Sequence, residues 1–213
     1  MRTMLRVFGE CCVTAGAIVL LFLAYLLWGT ALRTSQDQHE FATQLHREWQ
    51  TAHGDVKPAA ATFHLVLGKP FAFIRIPRFG PEWRFAIVQG TDLPQLALGP
   101  GHVPGTALPG EIGNFAVAAH RVTAGNPFYH LNDLRPGNTV LIDTAVTTYI
   151  YQVTQAELVL PSDTAVLDPV PGHPRQRADE AMITLITCDP PWTGTHRIIV
   201  FGSLKAEVPR TGA

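Results

Sequence analysis

The apolar positions change their spacing twice along the chain. From Cys11 to Leu32 no residue is charged, and Ala17–Leu27 is almost purely aliphatic and aromatic. As a helix the 22 residues from 11 to 32 would be roughly 33 Å long, enough for the about 30 Å of hydrocarbon in a bilayer. Tyr25 and Trp28 fall near the far end, where aromatic side chains suit the interface. The pattern predicts a transmembrane signal-anchor helix over 11–32. A cleaved signal peptide is the alternative, because Gly29-Thr30-Ala31 offers small residues to a peptidase; against it, the apolar run exceeds the about 7–15 residues of a signal core.

After the run the spacing changes to four. Phe41, Leu45 and Trp49 share one face of a helix predicted over Ser35–His53, which Gly54, Lys57 and Pro58 end. Residues 59–61 read as linker. Strand-like segments then follow in series: Phe71–Ile76, Arg84–Val88, Asn114–His120, Thr139–Asp143, Thr148–Leu160, Met182–Cys188 and Arg197–Val208. Gly- and Pro-rich turns separate them, with short helices possible in Thr91–Leu98 and Pro127–Leu134. No periodic long helix lies between strands, so the expectation is mainly β, a closed or nearly closed antiparallel barrel. The predicted organisation is a tail (1–10), a membrane helix (11–32), a juxtamembrane helix and linker (33–62), a folded domain (63–208) and a second tail (209–213).

Composition narrows the function. Hydrophobic residues make up 46% and charged residues 15% of 213, below the usual about 25% charged. The net charge of −1 gives no basic field to hold nucleic acid. Three cysteines are too few for a disulfide scaffold. Arg2 and Arg6 precede the apolar run and Arg33 and Arg47 follow it, which leans toward an inside N-terminus and an exported domain. Cys11 and Cys12 sit at the membrane edge, either as small helix residues or as acylation sites. Cys188 is then the one thiol of the large domain.

Residues for chemistry other than a thiol's are few. The serines are Ser35, Ser162 and Ser203, none in a G-x-S-x-G elbow, and there is no P-loop or GxGxxG. No zinc-ligand spacing occurs, although scattered His102, His120 and His130 leave a three-histidine site open. Cys188 closes an apolar strand that Asp189-Pro190-Pro191 stops, and Arg197 opens the next strand. If the two strands form a hairpin, thiol and guanidinium face each other across its mouth. A buried inert cysteine beside a surface arginine would show the same pattern. His120 ends another strand, after small Ala118 and Ala119. A thiol, with an ordinary pKa of about 8.5, needs such a neighbour to become the nucleophile. The histidine can then protonate an amine leaving group, and an arginine can hold an oxyanion.

Thr184-Leu185-Ile186-Thr187-Cys188 resembles the T-L-x-T-C signature of sortases. The segment from Gly99-Pro100-Gly101-His102 to Leu108-Pro109-Gly110, and the strand Asn114–Arg121, resemble the approach to the sortase histidine. The similarity runs from about Phe71 to Leu204 and is nearest to class E, with class D the next. It implies an eight-stranded sortase-type β-barrel and a cysteine transpeptidase with Cys188 as nucleophile, His120 as general acid/base and Arg197 orienting substrate and oxyanion. A rim position implies a histidine near its ordinary pKa of about 6.5. The implied substrates are secreted proteins with a C-terminal LPXTG/LAXTG-like sorting signal. The implied acceptor is an amine on a peptidoglycan precursor or another protein. No cofactor or metal is implied; Glu157, Asp163, Asp168 and Glu180 read as a solvated loop rather than a calcium cluster.

Val103 and Thr187 are the substrate-binding candidates. Class E sequences usually carry tyrosine where Val103 stands, so an alanine preference in the second position of the signal does not transfer. The resemblance implies a single-pass plasma-membrane protein with an extracellular catalytic domain. An L,D-transpeptidase, whose S-H-G-C motif is missing because Thr187 precedes Cys188, and a non-catalytic membrane-anchored scaffold are the rival readings.

Overall fold

The computed structural model describes residues 2–25, 29–52, 63 and 65–210. Helix α1 spans Arg2–Ala24 and helix α2 spans Thr30–Ala52. Residues 26–28 and the expected linker at 59–61 lie outside the described residues. Within α1, Arg6–Leu23 has a mean hydropathy of 1.8 and none of it is buried against protein. It is long and apolar enough to cross a membrane.

Helix α2 behaves as its four-residue spacing predicts. Leu45 and Trp49 are buried against Phe73 and Ala86, with Phe41 packed alongside. Gln38 adds a polar clamp: its Oε1 accepts from Ala86 N (2.6 Å), and its Nε2 donates to Ala86 O (3.2 Å) and Leu98 O (2.9 Å). Thr34 donates to Ala97 O at 2.9 Å. The helix is thus part of the folded unit.

Eight strands close a barrel: β1 Pro70–Arg75, β2 Arg84–Gln89, β3 Gly101–His102, β4 Gly113–Ala118, β5 Thr139–Asp143, β6 Thr147–Val159, β7 Ala181–Asp189 and β8 His196–Pro209. Around the barrel they run β1-β2-β3-β4-β7-β8-β6-β5. Period-two alternation sends Phe115, Val117, Tyr151, Val153, Ile183, Leu185, Ile198 and Val200 into the core. The expected antiparallel barrel is corrected at two seams: β2 and β3 are parallel, as are β4 and β7. The β5–β6 hairpin and a long loop separate β4 from β7 and return the chain to the same end.

Strand β3 lies in a segment that reads as turn from sequence. A Cβ at Gly101 would meet Gly90 O at 2.2 Å, so only glycine lets the two backbones approach. His102 is buried, with Nδ1 2.7 Å from Gln89 Oε1 and Nε2 3.0 Å from Thr106 Oγ1. Burial pushes its pKa below the ordinary value.

Asp143 anchors the far side of the barrel. It is buried and accepts from Arg75 Nε (2.5 Å), Arg75 Nη2 (2.8 Å) and Thr148 Oγ1 (2.7 Å), with Arg210 at 3.5 Å. Burial alone would raise its pKa, but the bonds from Arg75 and Thr148 and the charges of Arg75 and Arg210 hold it below the ordinary value. A depressed folded pKa contributes stability that is complete well above the unfolded value of about 3.9 and is lost as pH falls through the folded one. Asp143→Asn should therefore lower Tm by several degrees at pH 7. The gap to wild type should begin to close as the pH falls through the unfolded value of about 3.9 and shrink further below it. A gap independent of pH would show that the charge contributes nothing.

Candidate active site

Inward-facing odd positions on β4 and β7 leave the even positions outside. Asn114, Ala116, Ala118 and then His120 lie beside Met182, Thr184, Ile186 and Cys188. On β8 the outer row is Arg197, Ile199, Phe201 and Ser203. The parallel register pairs Ala118 with Ile186, and Ala119 N continues it by donating to Ile186 O at 3.1 Å. One step further brings His120 level with Cys188. The β7–β8 hairpin pairs Cys188 with Arg197. His120, Cys188 and Arg197 therefore stand in one row at the rim of the barrel, all half-buried.

Backbone and side-chain bonds hold this row. Thr187 Oγ1 donates to Ala119 O at 2.8 Å, and Phe128 N donates to His120 O at 3.1 Å. Thr187 is 2% exposed and faces the interior. It ties the cysteine strand to the histidine strand. Arg121 forms a short ion pair with Asp189, and its Nη1 lies 3.4 Å from Cys188 O and its Nη2 3.2 Å from Asn132 Oδ1. The residues after His120 and Cys188 are thus locked together. Opposite charges at equal offsets were visible in the sequence, but they become partners only if β4 and β7 run parallel.

Burial pushes the His120 pKa below its ordinary value, favouring the neutral ring in the free protein. Arg197 Nη1 donates to Gly194 O (2.8 Å) and His196 O (2.9 Å), and its other N–H donors have no protein partner among the described residues. Gly194, with φ +59°, has no side chain between the two groups. A Cβ there would lie 3.7 Å from Cys188 Sγ and 3.7 Å from Arg197 Nη1.

The outer face continues away from the rim. Val103 N donates to Ala116 O at 2.9 Å, and because His102 turns inward, Val103 is on the outer side beside Ala116. Asn114 and Thr184 are buried under the β6–β7 connection. Thr184 Oγ1 donates to Asn114 Oδ1 (2.7 Å), and Asn114 Nδ2 donates to the carbonyls of Val166 (3.0 Å) and Asp168 (3.1 Å). Sequence reasoning missed this clamp, since Asn114 reads as an ordinary strand start. Beyond it a cavity of about 480 Å³ is lined by Glu157, Asp163, His173, Glu180, Met182 and Phe201 among others. Three of the four acidic residues read as solvating the loop thus share a cavity wall. Among the described residues no group of three His, Cys, Asp or Glu could hold a metal. Of the three histidines, His102 is committed to the barrel wall and His130 pairs with Asp133 at 2.9 Å.

A sortase-domain family model matches residues 74–205, from β1 to β8. The chain belongs to the sortase family. Sortase SrtE1 of Streptomyces coelicolor is 33% identical over 97% of this chain, which spans 58% of the length of that relative. The SrtF sortase structure from Corynebacterium diphtheriae matches with a TM-score of 0.68 and 30% identity, covering 74% of this chain and 95% of that one. Sortase E from Streptomyces avermitilis matches with a TM-score of 0.62 and 39% identity, covering 68% and 93%. These matches agree with the class E resemblance and set aside the L,D-transpeptidase reading. Sortases are cysteine transpeptidases, and the candidate row lies inside the matched sortase domain.

Proposed function

We propose that this sortase is anchored by its N-terminal helix, with its barrel outside the cell. It cleaves an LPXTG/LAXTG-like signal between Thr and Gly and passes the protein to an amine of the cell wall or of another protein. The alignment of His120, Cys188 and Arg197 at one level of the outer face carries this reading. His120 takes the proton of the Cys188 thiol, and the thiolate attacks the threonine carbonyl carbon. The carbonyl π electrons move onto oxygen, toward the unengaged N–H donors of Arg197. As the tetrahedral species collapses, the C–N bond breaks and His120 returns its proton to the glycine amine, leaving a thioester. The acceptor amine then attacks the thioester carbon and gives a proton to His120. The C–S bond breaks, and the departing thiolate regains its proton from the imidazolium. Met182 and Phe201, at the cavity beyond Asn114, supply apolar surface for the start of the signal.

The test is incubation of the full chain in detergent with LPXTG and LAXTG peptides, read by mass. The expected result is an adduct on Cys188 carrying the signal through threonine, released by an added amine. An unmodified thiol and uncut peptides would leave the scaffold reading standing.

Val103 reads the second position of the signal in this proposal. Valine in place of tyrosine opens apolar volume beside Ala116, which a proline ring fills better than an alanine methyl, at roughly 0.8 kcal/mol per buried methylene. LPXTG should be accepted at least as well as LAXTG, and Val103→Tyr should move the kcat/KM ratio several-fold toward LAXTG. An unchanged ratio would mean that the position does not contact the signal.

A further inference from the structure

The β7–β8 connection turns tightly after Cys188. Gly194 N donates to Pro190 O at 2.9 Å, and the residue takes the left-handed conformation with φ +59°. The three atoms nearest to a Cβ at this position would be Cys188 Cβ (3.6 Å), Arg197 Nη1 (3.7 Å) and Cys188 Sγ (3.7 Å). The missing side chain thus leaves a space one methyl group wide, bounded by the thiol on one side and the guanidinium on the other. The Gly194 carbonyl also accepts from Arg197 Nη1, so the residue that leaves the space open also holds the arginine at its edge.

We propose that Gly194 is a positioning residue that keeps the oxyanion site vacant. Building on the sortase reading above, the threonine carbonyl oxygen enters this space when its carbon bonds to Sγ. A heavy atom there is in van der Waals contact with both the attacking sulfur and the guanidinium, so a carbonyl oxygen entering it lies beside the arginine whose Nε and Nη2 donors are unengaged among the described residues. Any side chain at position 194 puts its Cβ into the same space. The transition state is then excluded while the peptide still binds along the outer face of β4, β7 and β8, where no atom has changed.

The left-handed backbone by itself favours glycine, and a purely conformational role must be separated from this one. Asparagine tolerates that conformation far better than alanine, yet it carries the same Cβ. Gly137, with φ +93° and no atom within 4 Å of its Cβ position, serves as the control: Gly137→Ala introduces left-handed strain into open space. The experiment compares wild type, Gly194→Ala, Gly194→Asn and Gly137→Ala as full chains in detergent. It measures kcat, KM, Tm and the rate at which iodoacetamide alkylates Cys188.

Both Gly194 variants should lose about a hundredfold in kcat, the scale of a lost oxyanion contact, with KM and alkylation within a few-fold of wild type. Gly137→Ala should lose Tm but not kcat. Gly194→Asn with wild-type kcat would overturn the proposal and leave the glycine a turn residue only. A hundredfold rise in KM with kcat unchanged would overturn it as well, because the peptide and not the transition state would be excluded. Wild type that cleaves neither peptide would instead remove the sorting-signal reading on which the proposal rests.

Discussion

Cys188→Ala should abolish turnover and leave the barrel folded. The thiol is half-buried on the outer face, and the side chain is not among the buried core residues. Replacing it removes one sulfur atom and creates no enclosed cavity, so the stability cost should be about 1 kcal/mol or less, a few degrees in Tm. The other free cysteines, Cys11 and Cys12, lie exposed on α1 and offer no substitute nucleophile at the rim. Without the thiol no thioester can form, and neither His120 nor Arg197 can replace it. The check is peptide cleavage by the purified variant alongside its melting curve; cleavage above background would dismiss the thiol mechanism.

His120→Ala should lower kcat/KM by at least about a hundredfold, the loss expected when a general acid/base is removed. The leaving amine then departs without a proton and the thiol loses its neighbouring base. The pH profile carries a second expectation. An open rim implied a histidine near about 6.5, but the structure half-buries the ring beside β7, and burial favours its neutral form. The acidic limb of kcat/KM in wild type should therefore have its midpoint below about 6.5. His130→Ala should leave the rate near wild type, because His130 is exposed and pairs with Asp133. If His130→Ala proved the more damaging change, the assignment of His120 would fall.

The positions of the strands were legible in the sequence because period-two alternation is a local property. Seven of the eight fall within one or two residues of the segments read from it. The exception, Gly101–His102, has two residues and no period to show; it exists because Gly101, lacking a side chain, lets its backbone come against that of Gly90. Helix α2 was legible for the same local reason, through Phe41, Leu45 and Trp49. Its polar clamp was not, since nothing near Gln38 in the chain marks Ala86 and Leu98 as its partners.

The same division runs through the site. Sequence alone determined which groups are available: one thiol in the large domain, a histidine and an arginine at strand ends, and almost no serine. Cys188 and Arg197 could be paired from sequence because a hairpin needs only a short connection. The placement of His120 next to Cys188 depends on a parallel seam between strands more than sixty residues apart. Hydrophobic alternation says which face a strand buries but not its neighbour or its direction, so only the closed barrel decided that seam. It also decided that Thr187 turns inward, that Arg121 meets Asp189, and that the space beside Gly194 lies between sulfur and guanidinium. Each depends on distances between segments remote in sequence, which are set when the barrel closes around its core.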